Sequence, residues 1–342
     1  MNWGIKTSSG IVAIVATILL AIVIIGSFER PPIESVQRGY RGTGMVENYN
    51  PRTIATLAEA SKLPATLPPL PAAGPKASAI YKNVQILGGL SVGQFTRLMA
   101  SITTWVAPTQ GCAYCHDTKN MASDALYTKV VSRRMIQMVQ HINADWKPHV
   151  AETGVTCFTC HRGQPVPSNI WFNNPGPAHA HGMASTETGM GLVAPAAGLT
   201  ALPYDPYTPF LEKDAVIRVQ ATTALPSGNL QSIKQTEWTY ALMMNFSTAL
   251  GVNCTYCHNS REFGDWSQST PQRVTAWHGI HMVRDLNNTY LNPLGKVFPA
   301  NRLGPTGDSP KVACATCHQG VYKPLFGQSM IKGFPELAAA AH

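Results

Sequence analysis

No cysteine stands alone in this sequence. All eight fall into four copies of one pattern, Cys-x-x-Cys-His: "CAYCH" (Cys112, Cys115, His116), "CFTCH" (Cys157, Cys160, His161), "CTYCH" (Cys254, Cys257, His258) and "CATCH" (Cys314, Cys317, His318). Clustered charge is missing as well. The formal charge is +8, yet the basic residues form no run and no arginine-rich stripe, which argues against nucleic acid as a partner. A bound acidic cofactor would cancel the excess. No small-x-small cleavage site follows the apolar N-terminal run, which argues against a removable signal peptide. Proline and glycine are plentiful, with 26 and 28 copies, so long regular elements should be few. The 342 residues leave room for two ordinary domains.

Between Lys6 and Glu29 lie 22 uncharged residues, "TSSGIVAIVATILLAIVIIGSF". That is close to the ~20 needed to cross a bilayer as a helix. The expectation is a signal anchor over 1–29 with a short cytoplasmic end and everything after Glu29 exported. The next segment, 30–85, is rich in proline and small residues and reads as an extended strap over a surface.

A Cys-x-x-Cys pair serves as a redox disulfide, as half a zinc site or as a covalent haem anchor. A redox pair has no use for four copies, and zinc ribbons do not require a histidine directly after each pair. A c-type haem requires both. Two thioethers grip its vinyl groups, and the adjacent imidazole is held under the iron. Four matches with no cysteine left over point to four covalently bound haems. Eight propionates then bring the net charge close to neutral. The fold expected is mainly α, helices and loops wrapped on macrocycles with little sheet.

Each iron needs a second axial ligand, usually His or Met. "VGQFTRLMASITTWVAP" precedes the first motif and "TEWTYALMMNFSTAL" the third, both with apolar residues at helical spacing. A slide of 144 residues sets Leu98 and Met99 on Leu242 and Met243. It also sets Ile136, Met138, Val139 and Asn143 on Ile280, Met282, Val283 and Asn287. The pattern reads as a tandem duplication of a two-haem unit. A methionine in a helix is ordinarily packing; the repeated position makes Met99 and Met243 distal-ligand candidates, with Met244 assigned to packing. "SRRMIQMVQHINADW" offers Met135 and Met138, whereas its counterpart has Gly279 opposite Met135 and Met282 opposite Met138. If Met135 is the ligand, its loss to Gly279 leaves one haem needing a replacement, for which His149 in "DWKPHVAETG" is a candidate; if the shared Met138 and Met282 are ligands, none is needed. On the repeat alone, Met135 and Met138 remain alternatives for the second iron, as do Met282 and His149 for the fourth.

The stretches "YKNVQILGGL", "HVAETGVTCFTCHRG", "YDPYTPFL", "TALP", "ALMM", "TPQRVTAWHGIHMVRDLN" and "CHQGVYKPLFG" resemble the tetrahaem cytochrome subunit of purple-bacterial photosynthetic reaction centres. The similarity covers nearly the whole exported part. It implies that Met99, Met135 and Met243 ligate the first three haems and that His149 ligates the fourth, opposite His318. It also implies an arginine beside the third haem, at a position matching Arg273. A cation there disfavours the oxidised iron and so raises its potential. Many members carry a lipidated cysteine at the end of the signal; here Ser27 stands in that place, so the helix itself is expected to be the anchor. His141, His278 and His281 are expected to be surface or hydrogen-bonding residues. "GPAHAHGM", with His179 and His181, is a weak metal tract in a connector.

The domain reading is an anchor at 1–29, a strap at 30–85, a two-haem unit at 86–165, a connector at 166–228, a second two-haem unit at 229–323 and a tail at 324–342. The implied function is a single-pass electron carrier on the periplasmic side of the photosynthetic membrane, without a substrate site of its own. Its partners would be the bacteriochlorophyll-bearing reaction-centre subunits and a soluble donor, a small c-type cytochrome or a high-potential iron–sulfur protein. The rivals are a membrane-anchored multihaem quinol dehydrogenase or reductase, which favours His/His or open irons, and a structural zinc protein, which would be colourless.

Overall fold

A computed structural model describes residues 3–28, 32–37, 46–174, 176, 193–220 and 232–338. The fold is mainly helical. Helix α1 (Trp3–Ser27) ends in an apolar stretch, Ser9–Ser27, whose mean hydropathy is 2.8 and whose length and composition suffice to cross a membrane. The only sheet among the described residues is an antiparallel pair, β1 (Glu34–Val36) and β2 (Glu47–Tyr49). The strap is not wholly extended. Pro51–Ala60 form helix α2, because Asn50 caps Arg52 N–H at 3.0 Å and Pro51 takes a first-turn position where no N–H is needed. A single turn, α3 (Ala77–Ile80), follows.

Helix α4 (Val92–Val106) starts at a capping box, Ser91 with Gln94. Helices α5 (Tyr127–Asp145), α6 (Lys147–Val150) and α7 (Cys157–His161) complete the first half. In the second half α8 (Ile233–Leu250) starts at the same device, Ser232 with Gln235. Helix α9 (Pro271–Asp285) and the short α10 (Cys314–His318) follow. The helix before each odd motif packs on the even motif of its own half, α4 on α7 and α8 on α10. The end of α8 lies against the turn after α10 so closely that a Cβ on Gly251 would stand 2.1 Å from the Gly320 carbonyl oxygen. Only glycine fits that contact.

One apolar cluster runs through both halves, from Leu98, Trp105, Ile136 and Val139 to Leu242, Ile280, Val283 and Leu286. The C-terminal turns close it. Phe334 is fully buried and meets the Trp105 ring edge-on, with centroids 4.6 Å apart. Two buried asparagines brace the motif loops in the same way. Asn143 exchanges two hydrogen bonds with the Val155 backbone (2.8 and 2.9 Å), two residues before Cys157. Asn287 does so with Val312 (2.9 and 3.0 Å), two residues before Cys314. These are residues that the 144-residue slide superposes.

Candidate haem-binding site

The four motifs sort into two kinds by the residue before their second cysteine. Thr159 and Thr316 in the even motifs each accept the backbone N–H of the residue before the motif, from Thr156 at 3.0 Å and Ala313 at 2.9 Å. That bond closes a helical turn, and Arg162 and Gln319 end the two turns in left-handed conformation. The odd motifs have Tyr114 and Tyr256 at that place and form tighter 3-10 turns. Both tyrosine carbonyls are tied by a threonine at the start of the next helix, Thr128 at 2.5 Å and Thr270 at 2.6 Å.

Every motif histidine points Nδ1 at a backbone carbonyl. His116 faces Met121 O at 3.1 Å and His258 faces Phe263 O at 3.0 Å. His161 faces Gln164 O at 2.8 Å and His318 faces Val321 O at 3.0 Å. A carbonyl can only accept, so Nδ1 carries the proton and Nε2 is left with its lone pair for a metal. His149 is arranged alike, with Nδ1 on Thr275 O at 2.9 Å. His141 contrasts with all five: Asp145 takes Nδ1 at 2.7 Å and Asp285 takes Nε2 at 2.6 Å, which leaves no nitrogen for iron. His278 meets the Trp277 ring edge-on and His281 meets it tilted, at 5.0 and 4.2 Å between centroids.

Most of the residues that the sequence singles out line one large, mainly apolar cavity of about 1040 Å³. Cys115, Cys157, Cys160, Cys254, Cys257, Cys314 and Cys317 are on its wall, with His161, His258, His318, His149, Met135, Met243 and Arg273. Cys112, His116 and Met99 lie off this wall. Cys112 is exposed, and Met99 is half-buried on α4 against the core. Met138 and Met282, the matched pair, also reach the cavity but are nearly closed off in the apolar cluster, 8% and 6% exposed. His179 and His181 fall outside the described residues.

Helix α6 packs on α9 and brings His149 to His318, 6.2 Å between ring centroids. That gap admits an iron-sized ion with metal–nitrogen bonds of about 2 Å on each side. The approach depends on Gly279, since a Cβ there would stand 2.5 Å from His149 Cε1. The residue that breaks the methionine pattern is the one over which the imidazole lies.

The electrostatics also fit haem. Burial, together with the neighbouring His149, pushes the His318 imidazole down to about 4, and burial lowers His161 and His258. Burial pushes the Cys157 and Cys314 thiols up to about 12 and Cys257 up to about 11. Burial thus favours neutral imidazole at His161, His258 and His318, the form a histidine ligand takes, and neutral sulfur at Cys157, Cys257 and Cys314, whereas Cys317, hydrogen-bonded to Cys160, is pulled down. A zinc site would need thiolates. Among the described residues no three His, Cys, Asp or Glu side chains converge as a metal cluster.

A family model described as the photosynthetic reaction centre cytochrome C subunit matches residues 29–338. The chain belongs to this family. It is 53% identical to the photosynthetic reaction center cytochrome c subunit of Rubrivivax gelatinosus over 99% of this chain and 92% of that one. Against the subunit of the same description from Thermochromatium tepidum it is 51% identical, over 95% and 80%. A cytochrome c-554 from Chloroflexus aurantiacus is 28% identical over about half of each chain. Membership makes the protein an electron carrier of the reaction centre, with covalently bound haem, at the photosynthetic membrane.

Sequence reasoning missed the five carbonyls that orient the histidines. They belong to the backbone, so no residue type announces them. The slide matched Asn143 with Asn287 but gave them no role; their bracing shows only in the hydrogen bonds to Val155 and Val312.

Proposed function

We propose that the chain holds four c-type haems and relays electrons from a soluble periplasmic donor to the photo-oxidised bacteriochlorophyll special pair. In this reading Cys112/Cys115, Cys157/Cys160, Cys254/Cys257 and Cys314/Cys317 form the thioether pairs, and His116, His161, His258 and His318 are proximal ligands. Met99, Met135 and Met243 are the distal ligands of the first three irons, and His149 that of the fourth. When bound, haem iron supplies a one-electron couple whose potential follows its axial ligands.

The protein's own residues orient each imidazole, exclude water from the cavity and fix which sulfur or nitrogen faces the metal. With both faces taken at every iron, no position is open to a substrate. The observation that carries the reading is the Nδ1-to-carbonyl bond shared by His149 and all four motif histidines. Cys160 Sγ and Cys317 Sγ approach to 2.9 Å, so the even motifs of the two halves meet at their second cysteines.

Arg273 sits with its guanidinium 4.0 Å above the Trp266 ring, bonded to Asp265 O (3.0 Å) and Ser269 Oγ (2.6 Å). Its charge pulls both the Cys257 thiol and the His258 imidazole downward, against burial at the first and with it at the second, which supports a place beside the third haem. The proposal keeps the domain boundaries read from sequence, with α1 as the single-pass anchor and the rest periplasmic.

Flash-induced absorbance of isolated membranes tests the whole. Haem oxidation should follow the flash, and Arg273→Glu should slow re-reduction of the special pair while lowering one potential. A haem band that ignores the flash sinks the relay, and an unchanged titration returns Arg273 to a solvated helix start.

A further inference from the structure

The slide that matches Met99 with Met243 also sets Lys129 on Arg273. Each is the third residue of its helix, α5 and α9. A cation in the first turn meets the positive end of the helix dipole, so each must be held by something else. Arg273 donates to a carbonyl eight residues back, Asp265 O. Lys129 also donates eight residues back, to Met121 O at 2.8 Å, and to Ser123 O at 2.8 Å.

Met121 O has a second donor: it is the atom that takes His116 Nδ1–H. The Lys129 side chain is only 8% exposed. Asp124 lies 3.3 Å from its ammonium and 2.8 Å from Arg133. Two cations share one carboxylate, so the cluster keeps a net positive charge.

We propose that Lys129 is a positioning residue that raises the potential of the haem held by His116, as the first half's counterpart of Arg273. This rests on the reading that Cys112, Cys115 and His116 hold a haem. A proximal imidazole becomes a stronger donor as its Nδ1–H is drawn toward an acceptor. An ammonium on the same carbonyl draws the oxygen's electron density to itself. The pull on Nδ1–H weakens, and Nε2 gives less to the iron. A weaker ligand and a poorly solvated positive charge nearby both disfavour the ferric state, so both effects act in one direction.

The test is a spectrally resolved redox titration of the full chain in its membrane complex, with melting temperature read beside it. The first haem is assigned as the one lost in a Cys112→Ala/Cys115→Ala variant. Lys129→Met should lower that potential and leave the other three, and Lys129→Arg should restore most of the shift. Asp124→Asn, which removes the anion and keeps the ammonium, should raise the same potential. A loosened loop would move both variants the same way, so opposite signs separate tuning from scaffolding. If Lys129→Met fails to assemble, the Arg and Asn variants still decide: Asp124→Asn leaving the potential unmoved, or lowering it, overturns the proposal. So does a fully loaded Lys129→Met with four unchanged potentials. A cysteine double variant that keeps all its haem would instead overturn the haem assignment beneath it.

Discussion

Helix α5 carries Met135 where α9 carries Gly279, and the two halves of the molecule divide at that exchange. Around it they are alike. Each has a Ser–Gln capping box before its odd motif, a Thr-capped turn at its even motif and a buried asparagine bracing the loop between. In the proposed ligand set the first half supplies its own methionine. The second leaves a gap on its helix, and a histidine from the first half lies in it. Under the proposed ligand set, a repeated scaffold holds unlike metal sites, because removal of one side chain on one copy admits a ligand from the other.

Putting the methionine back is the strongest way to break that contrast. Gly279→Met should expel His149, since even its Cβ would overlap the imidazole. Met-for-His exchange raises a haem potential. One of the titrated potentials is expected to rise by on the order of 0.1 V, within the roughly 0.8 V that axial ligands span. If the titration is unchanged and the His149 ring has not moved, the crossover ligand is wrong.

The likeness is sharpened by the asparagines. Asn287→Ala would strand the Val312 N–H and the carbonyls of Val312 and Leu211 in the core. Asn143→Ala would do the same to Val155 and the Leu337 carbonyl. Stranded buried groups cost about 1–3 kcal/mol each, so each variant should lose about 3 kcal/mol in denaturant unfolding. Equal losses support a shared device. A loss in only one half means that the matching bonds are not equivalent in strength.

The smallest effect concerns the seam between the halves, where Asp285 receives His141 Nε2 and Trp146 Nε1, at 2.6 and 3.0 Å. Burial alone would raise the Asp285 carboxyl, but the bonds from His141, Thr289 and Trp146 outweigh it and hold the group below its ordinary value. A carboxylate lowered in the folded state adds stability above its unfolded value of about 3.9, and that stability fades as pH falls through the folded value. Asp285→Asn should thus lower the melting temperature at neutral pH, and the gap to the parent should close in acid. A gap that widens in acid would reverse the assignment.

The sequence carried the motifs because covalent haem attachment fixes both residue type and spacing. The four long helices around them were legible from apolar periodicity. Position in the repeat marked Met99 and Met243 as ligand candidates, and of the two only Met243 reaches the cavity wall. It did not separate Met135 from Met138, or His149 from Met282, because a ligand that crosses between repeats leaves no periodic trace. Helix α2 was read as strap although Asn50–Pro51 is a legible helix start; composition outweighed the local signal there. The tyrosine–threonine difference between odd and even motifs was in plain view, but its meaning depends on turn geometry that spacing does not encode.

Arg97 gives the molecule an order of assembly. Its guanidinium is buried on α4, bonded to the strap at Leu67 O and, 236 residues later, to Gly333 O, with Glu336 at 3.7 Å. At ~5–20 residues per second of synthesis, roughly 12–50 s separate the appearance of Arg97 from that of its last partners. Until then the helix that bears Met99 has an unpaired cation and no lid, although all its own residues exist. The first half thus begins first and finishes last.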